Sequence, residues 1–156
     1  MIKENTKAPD FKLPSTSKKD YSLQDSIGNY VIIYFYPKDD TPGCTTETND
    51  FNKLLPKFKK LNCEILGISK DNLNSHEKFK NKYKIKFDLL ADEEKKVLKK
   101  YKVCAKKKFM GREFLGIVRT TFLIDKKGKI LKIWHNVKVN GHAQEVLETL
   151  KNIGKK

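Results

Sequence analysis

Apolar and polar positions along the chain change period from strand-like to helix-like and back several times. Residues 30–36, Tyr-Val-Ile-Ile-Tyr-Phe-Tyr, are a β-branched and aromatic run without polar alternation, the pattern of a strand covered on both faces in a sheet with a parallel core. Pro37 closes it. Within residues 42–62, Phe51, Leu54, Leu55, Phe58 and Leu61 recur at three- and four-residue spacings and predict an amphipathic helix. Pro56 is expected to kink that helix, because it removes an interior N–H. Residues 63–69 predict a second strand, Ser75 to Tyr83 a short helix with Ser75 as its N-cap, and residues 87–90 a third strand. Asp92-Glu93-Glu94 then offers a cap and an acidic first turn to a helix carrying Val97, Leu98 and Tyr101, whose lysine-rich end matches the helix dipole. A glycine-containing loop is expected around residues 105–116. Residues 119–125 and 129–135 predict two strands joined through Asp125-Lys126-Lys127-Gly128, a hairpin signal. Residues 142–153 predict a last helix with Ala143, Val146, Leu147, Leu150 and Ile153 on one face, ended by Gly154.

Helix-linked strands followed by an antiparallel hairpin and a helix describe an α/β fold of the thioredoxin type, a mixed central sheet flanked by helices. The chain has 156 residues, 38% of them hydrophobic, which suits one domain over residues 1–156 with a sizeable core. A disordered tail or a disulfide-stapled miniprotein would be poorer in apolar residues or richer in cysteine. No apolar run approaches the roughly 20 residues needed to cross a bilayer, and the start Met1-Ile2-Lys3-Glu4 lacks the features of a signal peptide. A soluble, cytoplasmic protein is the expectation.

The formal charge of +15 raises nucleic acid and membrane surfaces as partners. The kind of base argues against both. Of 34 basic residues only Arg112 and Arg119 are arginines, and Lys lacks the planar fork that reads guanine and clamps phosphate. The lysines are also dispersed from Lys18-Lys19 to Lys155-Lys156, the pattern of a solvated surface. Three cysteines, Cys44, Cys63 and Cys104, make no disulfide framework and no Cys-x-x-Cys, which disfavours a disulfide reductase of the thioredoxin kind. His76, His135 and His142 form no ligand-spaced pair, so a structural metal is not expected.

The informative stretch runs from Tyr36 to Glu47, after the central strand and at the start of the long helix. Thr41 is a good N-cap, Pro42 suits the first helical position, and Cys44 then falls in the first turn. Unbonded N–H groups and the positive end of the helix dipole meet there, conditions that favour a thiolate. Gly43 removes a side chain beside the sulfur and allows close backbone approach to a small ligand. A lone cysteine is more commonly a small buried hydrophobe, but that alternative leaves Thr-Pro-Gly-Cys at a helix start unexplained.

Pro37-x-x-x-Thr41-x-x-Cys44 resembles the peroxiredoxin active-site motif, and Thr-Pro-Gly-Cys-Thr followed by Glu47 is similar to the bacterioferritin comigratory protein, or Q-type, branch. Ala8-Pro9-Asp10-Phe11, Leu66-Gly67-Ile68-Ser69, the stretch from Gly116 to Asp125, and Gly141-His142 extend the likeness over nearly the whole chain. The resemblance implies reduction of hydroperoxides without a cofactor, with Cys44 as nucleophile and sulfenic acid as its product. It further implies that Thr41 offers its hydroxyl, that the N–H groups of Gly43 and Cys44 add donors, that Arg119 lies beside sulfur and peroxide, and that Pro37 shields the site. For Arg119 a structural salt bridge is the alternative. Glu47, one turn beyond Cys44, is either an orienting partner of Arg119 or an exposed first-turn acid. A holdase without peroxidase activity would not need Thr41, Cys44 and Arg119 together.

The family often carries a resolving cysteine five residues after the peroxidatic one, and here that position is Asn49. Others place it on the following helix, where Ser75 to Tyr83 contains none. Cys63 is expected to be a buried structural thiol, whereas Cys104, in the loop after Tyr101-Lys102-Val103, is the candidate for an internal resolving role. A one-cysteine cycle leads, with thioredoxin or another external thiol as reductant and a monomer or weak homodimer as the unit.

Overall fold

The computed structural model describes residues 2–154. Its centre is a five-stranded sheet built on β3 (Tyr30–Phe35), which pairs in parallel with β4 (Cys63–Ser69) and antiparallel with β8 (Thr120–Ile124). Outside these lie β5 (Asp88–Ala91), parallel to β4, and β9 (Ile130–Trp134), antiparallel to β8. The order β5-β4-β3-β8-β9 puts the uninterrupted apolar run at the middle position, where both faces are covered. Alternate side chains of β3 accordingly enter two cores. Ile32, Tyr34 and Tyr36 join Phe51, Leu55 and Phe58 of helix α1 (Pro42–Lys60), Phe79 of α2 (Leu73–Tyr83), and Val146, Leu147 and Leu150 of α4 (His142–Gly154). Val31, Ile33 and Phe35 pack on the other side with Val97 and Leu98 of the short α3 (Lys96–Lys100), Tyr101, and the N-terminal residues Ala8, Phe11 and Leu13. No helix among the described residues is long and apolar enough to cross a membrane.

Several local expectations are revised. The loop expected at 105–116 is a hairpin of β6 (Cys104–Phe109) and β7 (Arg112–Ile117), turning through Met110 and Gly111, both at positive φ. A small N-terminal hairpin, β1 (Lys12–Leu13) with β2 (Tyr21–Ser22), also lacks a sequence signal, its strands being two residues each. Helix α2 is capped by Asn72, whose side chain accepts from the Ser75 N–H, so Ser75 is the third helical residue rather than the cap. Asp92 caps the first turn of α3 from further back than expected: its carboxylate accepts from the Leu98 N–H at 2.8 Å while Lys95 occupies the N-cap position in a left-handed conformation. Helix α1 runs unbroken through Pro56, which faces solvent, where water can satisfy the carbonyl it leaves free. Arg119 lies just before β8 rather than at its first position, with its carbonyl accepting from the Val137 N–H at 2.9 Å.

Tyr34 stacks on Phe51 with ring centroids 4.9 Å apart, and its hydroxyl pairs with Thr48 of α1 at 2.9 Å, which seats the helix on the sheet. Gly67, on neighbouring β4, makes room for that ring: a Cβ there would lie 2.8 Å from the Tyr34 hydroxyl and 2.9 Å from Leu89 Cδ2. Gly67→Ala is therefore expected to lower stability by about 1–3 kcal/mol, as overpacking of a filled core does. Urea denaturation measures this, and an unchanged midpoint would show that the ring has room to yield.

Candidate active site

Thr41 has extended backbone angles (φ −101°, ψ 155°) and is followed by Pro42 at the first helical position, so α1 starts abruptly there. The carbonyl of Thr41 accepts the first helical bond, from Thr45 at 2.8 Å. A helix leaves its first amides without internal partners, and those of Gly43 and Cys44 belong to this set. Cys44 is 1% exposed. Its sulfur accepts from Arg119 Nη2 at 3.5 Å, while Nη1 of the same guanidinium donates to Glu47 Oε1 at 2.8 Å. Two residues from one helix turn thus share one cation delivered by the segment before β8.

Gly43 has a more specific task than open approach to a ligand. A Cβ at that position would lie 3.1 Å from Arg119 Nη2, so glycine lets the guanidinium pack close against the helix start. Glu47 is buried, not an exposed acid, and its second oxygen, Oε2, has no hydrogen-bond partner. The Thr41 hydroxyl donates to the Lys38 carbonyl at 2.8 Å, so its proton is turned into the loop and would have to rotate to reach a bound peroxide. Pro37, half-buried, begins that loop.

The other two cysteines lie elsewhere. Cys63 opens β4 beyond the far end of α1, and the helix from Cys44 to Lys60 alone spans about 24 Å. It is buried, which pushes its thiol pKa well up, the behaviour of an inert structural cysteine. Cys104, half-buried at the start of β6, packs against the core on the α3 side of the sheet, whereas Cys44 belongs to the core on the α1 side. Burial raises its thiol pKa as well. His142 is buried against Thr121, whose hydroxyl lies 2.8 Å from Nε2; burial and the charge of Arg119 lower its pKa to about 4, so the ring is neutral.

Sequence reasoning missed a polar cluster under the loop between β3 and α1, in which Asp39, Asp71 and His76 approach within 4.8 Å of one another. A cation could use such a spacing, but the approaching oxygens of Asp39 and Asp71 already accept hydrogen bonds. Its only trace in the sequence is the acidic pair Asp39-Asp40 after the central strand, which reads as a solvated turn.

The charges around the sulfur oppose one another. Burial raises the Glu47 pKa to about 7, against the lowering effect of Arg119. Burial likewise disfavours the Arg119 charge, but the Glu47 carboxylate and the Cys44 sulfur outweigh it and hold the guanidinium pKa above its ordinary value. A carboxyl whose folded-state pKa lies above its unfolded one binds more protons when folded, so its contribution to stability is present at low pH and lost as pH rises towards 7. Glu47→Gln, which copies the protonated form, should gain stability relative to wild type between pH 5 and pH 7.5. Urea titrations at both values test this, and a constant difference would show that Glu47 ionises normally.

Residues 5–133 match the AhpC/TSA family. Peroxiredoxin Bcp of Bacillus subtilis is 44% identical over 155 residues, covering 99% of each chain, and that of Escherichia coli K12 is 37% identical, covering 96% of each. Among solved structures, a mutant of Xylella fastidiosa PrxQ superposes with a TM-score of 0.92 at 35% identity, covering 97% of each chain. The bacterioferritin comigratory protein of Xanthomonas campestris does so with a TM-score of 0.88 at 40% identity, covering 92% of each. With the family matched over most of its length, relatives at 37% and 44% identity along nearly the whole of both chains, and the same fold in the solved structures, the chain belongs to the AhpC/TSA family, in its peroxiredoxin Bcp branch.

Proposed function

We propose that this peroxiredoxin reduces hydrogen peroxide and small organic hydroperoxides through Cys44, in a one-cysteine cycle completed by an external thiol, as part of antioxidant defence in the cytoplasm. The observation that carries the reading is the single guanidinium of Arg119 spanning the Cys44 sulfur and the buried Glu47 carboxylate at the start of α1. Alkyl peroxide reduction is an activity of the Xanthomonas relative, and the likeness in sequence and fold supports the same chemistry here.

In the first half-reaction the Cys44 thiolate attacks the nearer peroxide oxygen. The O–O bond breaks, the sulfur keeps that oxygen as sulfenic acid, and the other oxygen leaves as water or alcohol after taking up a proton. Negative charge grows on the leaving oxygen, so fixed donors aimed at it lower the barrier. Arg119 is the charged donor, and Glu47 holds its plane. The N–H groups of Gly43 and Cys44, pointing out of the helix start, and the Thr41 hydroxyl complete the donor set, while Pro37 limits water. Cys44 is almost wholly covered, which favours small peroxides.

In the second half-reaction an outside thiol attacks the sulfenic sulfur, releasing water and leaving a mixed disulfide that a second thiol reduces. Asn49 in place of a cysteine, the far position of Cys63 and the opposite-face packing of Cys104 all favour an external partner, thioredoxin or a smaller thiol. A monomer or weak homodimer suffices for this chemistry. The alternative, Cys104 as resolving cysteine, is favoured by its partial exposure.

Cys44→Ser should abolish peroxide consumption; residual turnover above a few per cent of wild type is incompatible with the assignment. Arg119→Lys should slow the peroxide reaction on the order of 10–1000-fold, because one ammonium cannot span sulfur and carboxylate as a planar guanidinium does. Wild-type kinetics in that variant would remove Arg119 from the mechanism. Cys63→Ala and Cys104→Ala should keep full activity with dithiothreitol and with a thioredoxin system alike. Selective loss of thioredoxin-dependent turnover in Cys104→Ala would establish the two-cysteine cycle instead.

A further inference from the structure

The polar cluster beneath the β3–α1 loop is built around one carboxylate. Asp39, 7% exposed, accepts at Oδ1 from the Tyr36 hydroxyl at 2.6 Å and at Oδ2 from the Ser75 hydroxyl at 2.8 Å, and Oδ2 also faces His76 Nδ1 at 2.7 Å. The other ring nitrogen of the fully buried His76 lies 2.9 Å from the Leu90 carbonyl. A carbonyl only accepts, so Nε2 carries a proton. Nδ1 faces the Asp39 oxygen to which Ser75 also donates, and it lies 3.3 Å from the Tyr36 hydroxyl. The Asp39 N–H in turn donates to Asp71 Oδ2 at 2.8 Å, and the same oxygen accepts from the Ser69 hydroxyl at 2.8 Å. One loop residue is thereby held from the end of β3, from the turn after β4 and from the first turn of α2.

That loop runs from Pro37 to Thr41 and leads straight into the turn that carries Cys44. A peroxide needs the loop closed, because its donors act only when fixed relative to the sulfur. A thiol reductant needs the opposite. Its sulfur must come within about 2 Å of Cys44 to form a disulfide, and Cys44 is 1% exposed. A thiol can reach a sulfur so covered only if the segment that carries it moves, and this loop leads directly into that segment.

We propose that Asp39 is a positioning residue, the latch that holds the Pro37–Thr41 loop closed for peroxide and whose release governs how fast oxidised Cys44 is reached by a thiol. The inference rests on the role of Cys44 proposed above. The latch suits both states. Closed, every donor around the carboxylate is matched, and breaking one bond alone would leave a buried polar group unpaired. Opened as a unit, the carboxylate passes into water and recovers its hydration, so the barrier stays finite. No covalent bond changes in the latch itself.

The test uses Asp39→Asn, which keeps the size but cannot accept from all three donors, and the milder Ser75→Ala, which removes one of them. Hydrogen–deuterium exchange over residues 37–47 of the reduced protein reads the latch independently of any peroxidase activity. Rapid-quench mass spectrometry then gives separately the rate of Cys44 oxidation by hydrogen peroxide and the rate at which the sulfenic acid reacts with dithiothreitol. In Asp39→Asn, exchange in this segment alone should quicken, oxidation should slow about 10-fold, well inside the effect of a small misplacement, and reaction with dithiothreitol should accelerate. Ser75→Ala should move all three in the same directions by less, and it decides the matter if Asp39→Asn does not fold. Unchanged exchange, or two half-reactions that slow together, overturns the latch. Faster exchange with no oxidation of wild-type Cys44 would instead bring down the peroxidase reading and leave Asp39 as a loop clamp without that role.

Discussion

A guanidinium held between a sulfur and a carboxylate, with little water to share its charge, is the constraint around which the rest of the structure is arranged. The Arg119 side chain is 18% exposed, and that of Glu47 is not exposed at all. Buried ions cost several kcal/mol each unless their partners are well placed, so the three groups tolerate little displacement. Glu47 follows Cys44 by three residues, which puts both on one side of α1. At Gly43 a Cβ would press on the guanidinium at 3.1 Å and push it by a few tenths of an ångström. An apolar side chain at position 47 would bury at less cost than a carboxylate. Such a replacement would leave Arg119 free to swing away from the sulfur.

Strand register brings the parts together. In the antiparallel pairing of β3 with β8, Phe35 lies opposite Thr120. One step further, the chain leaving β3 at Tyr36 and the chain entering β8 at Arg119 meet at the same end of the sheet. Because β3, β4 and β5 are parallel, this is also the end where α1 and α2 begin, the usual place for sites in open α/β sheets. The helix start supplies amide donors, the β8 entry supplies the cation, and the turn after β4 with the start of α2 anchors the loop between them. A shift of one residue in β8 would send Arg119 to the opposite face.

The legible parts of the sequence were those where one period dominates. Residues 30–36 and 63–69 read as strands, and Phe51, Leu55 and Phe58 as one helix face, because burial of a whole face leaves a repeating mark. The β6–β7 hairpin left no such mark. Its residues 106–114 are exposed, so Lys106-Lys107-Lys108 reads as loop although it is strand. At the site, Cys44 and Thr41 were legible because a helix start has its own local chemistry, and Arg119 because the family motif carries it. The Arg119–Glu47 pairing spans 72 residues and no local spacing reveals it. Asp39 was invisible for a related reason: an acid two residues after a strand reads as a solvated turn unless its partners, Ser75 and His76 on another helix, are known to lie above it.

In the cycle proposed above, reduction by an outside thiol would place two opposite demands on the same few residues. Reaction with peroxide is favoured by a dry, rigid pocket in which charge is fixed in advance, and the near-complete cover over Cys44 provides it. Reaction with a second sulfur is favoured by exposure. A rigid core cannot satisfy both, so the compromise has to be local, in a segment that can open without disturbing the sheet. The β3–α1 loop meets that condition because its hold on the molecule is polar rather than apolar. Tyr36 above it is packed in the core, whereas Lys38 is exposed, Asp39 is fixed by hydrogen bonds, and the exposed Asp40 is tied to α2 by Lys82 at 2.8 Å and by the Tyr83 hydroxyl at 2.6 Å. Apolar packing weakens gradually as surfaces part, whereas a set of short hydrogen bonds is lost within about an ångström of movement. A contact of that kind opens or closes with little in between, which is what alternation between a sealed and an accessible sulfur requires.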